Sequence, residues 1–91
     1  MHLNDLRAGA ILHIRTLNRD YALHKLGANE YKIVGHPKYC KVETRCQVHG
    51  STWGGSSILV DQIVVGMHLE FSVPGFPCVT TSEIEEIEEE R

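Results

Sequence analysis

The chain has 91 residues, 42% of them hydrophobic and 23% charged, with a formal net charge of −3. That is the length of one domain, too apolar to stay disordered, and it contains no apolar run long enough for a membrane-spanning helix. The charge is uneven: Lys and Arg dominate residues 1–45, Asp61 and Glu70 are the only charged residues of 46–82, and the last nine residues hold six glutamates and one arginine. A mildly basic body therefore ends in an acidic stretch, and the expected division is a domain over residues 1–82 with an acidic tail over 83–91.

The first elements are short and β-rich. Gly9 allows a turn, after which Leu12, Ile14 and Thr16 alternate with His13 and Arg15 in the two-residue period of a half-buried strand. Leu17–Asp20 reads as a turn, Tyr21–Leu26 as the return strand, Gly27–Asn29 as a second turn and Glu30–Gly35 as a third strand. Pro37 interrupts the pattern. From Lys41 to His49 the alternation resumes, with Val42, Thr44, Cys46 and Val48 on the expected inner face and Lys41, Glu43, Arg45, Gln47 and His49 on the outer.

Gly50 to Ser57 reads as a glycine–serine loop around the single tryptophan, Trp53. Ile58-Leu59-Val60 and Ile63-Val64-Val65 read as buried β segments. Past Gly66, Met67, Leu69, Phe71 and Val73 alternate with His68, Glu70 and Ser72. Pro74–Pro77 is a turn, and Cys78–Thr81 is a last short strand. Ser82-x-x-Glu85 has the form of a capping box and Ile84 and Ile87 are three apart, so this end reads either as a short helical turn or as a bent extension of the strand, with fraying glutamates beyond. The spacing Leu6-x-x-Gly9-x-x-Leu12-x-Ile14 returns as Ile63-x-x-Gly66-x-x-Leu69-x-Phe71, which suggests two similar corners of one closed, bent sheet. The expected fold is all-β: a small barrel or barrel-like sandwich of five to seven antiparallel strands.

Four chemistries compete for the middle of the chain. His36, Cys40, Cys46 and His49 are a competent tetrahedral zinc set, although Cys46 and His49 are three apart on a strand and so fall on opposite faces; the plainer reading of Cys46 is a core thiol. Gly50-Ser51-Thr52-Trp53-Gly54 is similar in form to a nucleophile elbow but has Thr52 in the serine's place, with no helix after it. The same small residues can form an anion nest, without a following lysine or arginine. Arg7, Arg15, Arg19, Lys25, Lys32, Lys38, Lys41 and Arg45, interleaved with Tyr21, Tyr31 and Tyr39, could bind single-stranded nucleic acid. The three cysteines, Cys40, Cys46 and Cys78, are an odd number and make no disulfide framework. The first residues lack a secretory pattern, so the expected location is the cytoplasm of a bacterium.

Two resemblances add to this. Arg15-x-x-x-Arg19, followed by Asp61-x-Ile63-x-x-Gly66, resembles the paired motifs of the PilZ domain, with Ile63 where that family has serine; the resemblance implies a β-barrel that binds a cyclic dinucleotide. The TLNRDY, HGSTWGGS, GMHLEF and TSEIEEI segments are similar to those of small bacterial β-barrel proteins with no assigned activity. The leading expectation is a non-enzymatic binding or interaction module without a cofactor. Its surface would combine Ser51, Thr52, Trp53 and Ser56 with His36, Tyr39 and His49, and with Arg15 and Arg19 in the PilZ-like variant. The alternatives are a zinc protein and a nucleic-acid or nucleotide binder. A partner protein or small ligand is expected, no membrane, and a homodimer if exposed strand edges are to be covered.

Overall fold

The computed structural model describes residues 1–53 and 57–90. A single 3-10 turn, Leu3–Asp5, precedes seven strands: β1 (Ile11–Thr16), β2 (Asp20–Gly27), β3 (Glu30–Val34), β4 (Thr44–Thr52), β5 (Ile58–Val60), β6 (His68–Ser72) and β7 (Val79–Glu89). The sheet order is β3-β2-β1-β7-β6-β4-β5, all neighbours antiparallel, and β3 also pairs with β4. That last pairing closes six strands into a barrel and leaves β5 attached outside the ring. The expected all-β barrel is what forms. No helix among the described residues is long and apolar enough to cross a membrane.

Alternation builds the core. Leu12, Ile14 and Thr16 of β1, Tyr21 and Leu23 of β2, Tyr31 and Ile33 of β3, and Leu69 and Phe71 of β6 all point inward and are buried. Lys25 is buried too. Its ammonium group donates to the Leu3 carbonyl at 2.9 Å and lies 5.9 Å from the Tyr31 ring centre, so a charged tip ties the N-terminal turn to the barrel.

The repeated glycine spacing corresponds to repeated structure. The Gly9 amide donates to Lys25 O, Lys25 returns a bond to Ala10 O, and Ala10 closes a turn onto Arg7 O. At the second copy, Gly66 donates to Ile84 O, Ile84 returns a bond to Met67 O, and Met67 closes onto Val64 O. The two glycines have φ of 92° and 93°, in the left-handed region where a Cβ is strained. The β1–β2 and β6–β7 hairpins are thus two copies of one corner, brought side by side by the β1–β7 pairing.

Three expectations are corrected. The fourth strand begins at Thr44 rather than Lys41 and runs on through Gly50, Ser51 and Thr52. Val42 is 70% exposed. Continuing the ladder would place Val42 opposite Gly35 and Lys41 opposite His36, but the Gly35 amide is already bonded to Cys40 O in the His36–Cys40 turn. At the other end, Ser51 and Thr52 pair with β5 on one edge and β6 on the other, so the expected loop is strand for its first three residues.

Ile58-Leu59-Val60 is exposed rather than buried. An unbroken apolar run reads as a strand covered on both faces, and an edge strand outside the barrel has the same signature.

At the C-terminal end the bent extension of the strand is the alternative that forms, in place of a helical turn and of glutamates frayed from Ile87 on. β7 continues to Glu89, pairing Ile87 with Ile14 and Glu89 with Leu12. The i,i+3 spacing of Ile84 and Ile87 comes from a bulge: Arg15 faces Glu86 and Thr16 faces Ile84, so Glu85 is an extra residue and both isoleucines turn inward. The acidic residues expected as a tail complement β1 instead. Arg15 Nη2 lies 2.8 Å from Glu86, and His13 Nε2 lies 3.0 Å from Glu90.

Candidate functional site

The expected site residues do not converge. They fall into two groups on the barrel, and some belong to neither.

The first group lies around β5. Trp53 follows β4 directly and is 66% exposed. Ile58, Leu59 and Val60 are exposed as well, and Val60 is 63% so. The chain next pairs residues 61–63 with the N-terminus: Leu3 N donates to Asp61 O, Ile63 N to Met1 O, and the Met1 amine to Ile63 O. Met1 and Val65 are exposed as well. Of the nine large hydrophobic residues exposed among the described residues, six are therefore Met1, Trp53, Ile58, Leu59, Val60 and Val65. A concentration of this kind on a small domain marks an interaction surface more often than chance scatter does.

β4 holds this surface in place. Gly50 has φ of 138°, and a Cβ there would run into the Leu59 carbonyl, so only glycine lets β5 lie this close. Ser51 is buried; its hydroxyl donates to Gln62 O at 2.6 Å and accepts from Val64 N at 3.1 Å. The Thr52 hydroxyl, also buried, donates to Ser57 O at 2.7 Å. Both hydroxyls brace the turn and have no opening to a ligand, which removes Ser51 and Thr52 from the expected binding set. Ser56, and with it most of the expected anion nest, lies outside the described residues.

The second group lines a cleft of about 320 Å³ between the β1–β2 turn, the His36–Cys40 turn and the first half of β7. It brings together Arg19, His36 and Tyr39, three of the expected residues, with Asn18, Tyr21 and Ser82. The Ser82 hydroxyl fixes the turn: it accepts from Asn18 N at 3.1 Å and donates to the Thr16 hydroxyl at 2.9 Å. The His36 ring packs on Tyr39 with centroids 4.6 Å apart, and Tyr39 meets Phe76 edge-on at 5.2 Å. His36 Nδ1 accepts from the Lys38 amide at 3.1 Å, which leaves the ring proton on Nε2. Burial, aided by Arg19 and Lys38, lowers the His36 pKa. Burial, with the nearby Cys40, pushes the Tyr21 hydroxyl up to about 12 against the pull of Arg19.

Arg15 and His49 join neither group. Arg15 is held by Glu86, with Glu85 at 4.0 Å, and lines a separate cleft with Asp20 and Glu88. The paired arginines of the PilZ-like reading thus face different clefts. His49 is half-buried on β4, with Nε2 3.0 Å from the Ser72 hydroxyl.

The zinc alternative gains nothing from the fold. His36 and Cys40 are bridged, with the His36 amide 3.4 Å from Cys40 Sγ. Burial raises the Cys40 pKa and pushes Cys46 up to about 12, and His49 Nε2 lies 3.0 Å from the Ser72 hydroxyl. Among the described residues, no group of three or more His, Cys, Asp or Glu side chains is placed to hold a metal ion. The aromatic row of the nucleic-acid reading is also broken up: Tyr21 and Tyr31 are core residues, Lys25 is buried, and Arg45 has Glu30 at 3.6 Å.

The residues missed in the sequence are Ile58, Leu59 and Val60 at the first group and Asn18 and Ser82 at the second, where Tyr21 had entered only through the nucleic-acid reading. The signal for β5 was present in Asp61-Gln62, a polar break too early for a buried strand. The cleft had no sequence signal, because three separate turns build it. Comparison with protein-family models, with curated proteins and with solved structures found no match.

Proposed function

We propose that the chain is a protein-interaction module rather than an enzyme, and that it works by strand addition at β5 with a second copy of itself as the occupant. The observation that carries this reading is the position of β5. Every barrel strand is paired along both edges, whereas β5 pairs with β4 alone among the described residues, and all three of its side chains are apolar and exposed. An open edge with this composition is a template for another strand unless something covers it.

A second copy fits on three grounds. Two β5 strands set antiparallel about Leu59 would place Ile58 opposite Val60 in both directions, the self-complementary match a two-fold interface requires. Residues 46–82 carry only Asp61 and Glu70 as charges, so pairing desolvates little charge. Trp53 stands beside the strand as a large rigid anchor of the kind that concentrates binding energy.

Sedimentation velocity over a range of concentrations tests the reading. The wild-type chain should shift from monomer to dimer as concentration rises. Val60→Lys should stay monomeric with an unchanged melting temperature, since Val60 lies outside the core. A wild-type chain that remains monomeric throughout, or a Val60→Lys dimer as strong as wild type, would overturn it.

A further inference from the structure

The Arg19 cleft is independent of β5 and has its own chemistry. It is lined by donors. The Arg19 side chain makes no ion pair among the described residues, its backbone alone being used in the turn with Thr16. His36 presents Nε2–H, because Nδ1 is occupied by the Lys38 amide. Tyr21 is 3% exposed, yet its hydroxyl has no hydrogen-bond partner among the described residues and is not a sealed orphan, since every fully buried side-chain polar atom there has a partner. Tyr21 lines this cleft together with Arg19 and His36, and it also borders the neighbouring one. No carboxylate lines this cleft; Asp20, Glu86 and Glu88 line its neighbour. Cys78, which also lines the cleft, donates a hydrogen bond to Glu70 at 3.2 Å.

We propose that this cleft binds a small organic oxyanion, a phosphate monoester or a carboxylate, between the Arg19 guanidinium, the His36 Nε2–H and the Tyr21 hydroxyl. A guanidinium and two neutral donors suit an anion and offer nothing to a cation. The volume, about 320 Å³, is at the small end of ligand pockets, which fits a compact molecule better than a polymer. The His36 and Tyr39 rings, 4.6 Å apart and tilted, both line the cleft and give one wall a ring surface, so the body of the ligand is expected to be planar.

Titration of the labelled full chain with phenyl phosphate and, separately, with benzoate, followed by amide chemical shifts, tests this. Saturable shifts at Asn18, Arg19, Tyr21 and His36 with either probe support the proposal, and the tighter probe identifies the headgroup. Arg19→Gln should weaken binding at least about tenfold, the scale of a lost charged hydrogen bond. Tyr21→Phe, which keeps the ring in the core, should weaken it several-fold. Lys38→Gln removes a nearby cation whose ammonium group sits over the Tyr39 ring, outside the donor set, and should change affinity by less than about twofold. Absence of saturable shifts with both probes would overturn the proposal. So would equal losses in Arg19→Gln and Lys38→Gln, because general charge attraction would then explain the binding.

Discussion

Single residues decide two features of this barrel that composition hides. Cys78 is exposed, yet its thiol is pushed up to about 11 by burial of the sulfur and by Glu70, which both accepts its proton and repels the thiolate. A thiol raised from 9.0 to about 11 holds roughly a hundredth of the ordinary thiolate at pH 8. Cys78 is therefore expected to alkylate slowly despite its exposure. Glu70→Gln removes the negative charge, lowers the thiol pKa and should speed alkylation several-fold, the desolvation remaining; an unchanged rate would show that Glu70 does not control it. Gly50 is the second such residue. Both Gly50 and Gly66 have positive φ, but only at Gly50 does a Cβ meet backbone, at the Leu59 carbonyl. Gly66→Ala should cost about 1 kcal/mol through conformation alone, and Gly50→Ala distinctly more because β5 must shift. Urea unfolding of the two variants separates these costs, and equal values would mean β5 is not seated on Gly50.

At the scale of elements, the acidic end is part of the barrel wall. β7 covers the edge of β1 from Leu12 to Thr16 and supplies Ile84 and Ile87 to the interior. A chain ending at Ile84 would leave that edge open and remove a closing strand, a loss comparable with the whole stability of a small domain, about 5–15 kcal/mol. It should show no cooperative thermal unfolding. Ile87→Thr in the full chain should cost about 1–2 kcal/mol, while Glu88→Gln should be near neutral. A truncated chain that melts like the full one would mean the glutamates after Ile84 do not belong to the fold. The period of two separated the faces of β1 and β6, because one face of each is core and the other is not, while β2 and β3 were legible as strands without a face assignment. The same rule failed for β7, where one bulged residue, Glu85, turned a strand into a helix-like spacing. It failed for β5 because three apolar residues are too few to tell an edge from a core strand.

At the scale of the whole molecule, the barrel is closed everywhere except along β5, and the two places where chemistry gathers follow from that closure. The donor cleft sits where the β1–β2 turn, the His36–Cys40 turn and β7 meet. Of the candidate site, Trp53, Arg19, His36 and Tyr39 were legible as residues that do not fit the strand pattern, but not their separation into two regions, which depends on strand order. Ser51 and Thr52 were misread because a serine and a threonine bracing a buried turn have the same local sequence as a pair displayed on a loop.

The central claim is that β5 is an open edge that a second copy covers. Amide hydrogen exchange followed at low and high protein concentration tests it most directly. Residues 58–60 should gain protection as concentration rises, while the amides of β2, already paired on both sides, should not change. Identical exchange of residues 58–60 at every concentration would contradict the account.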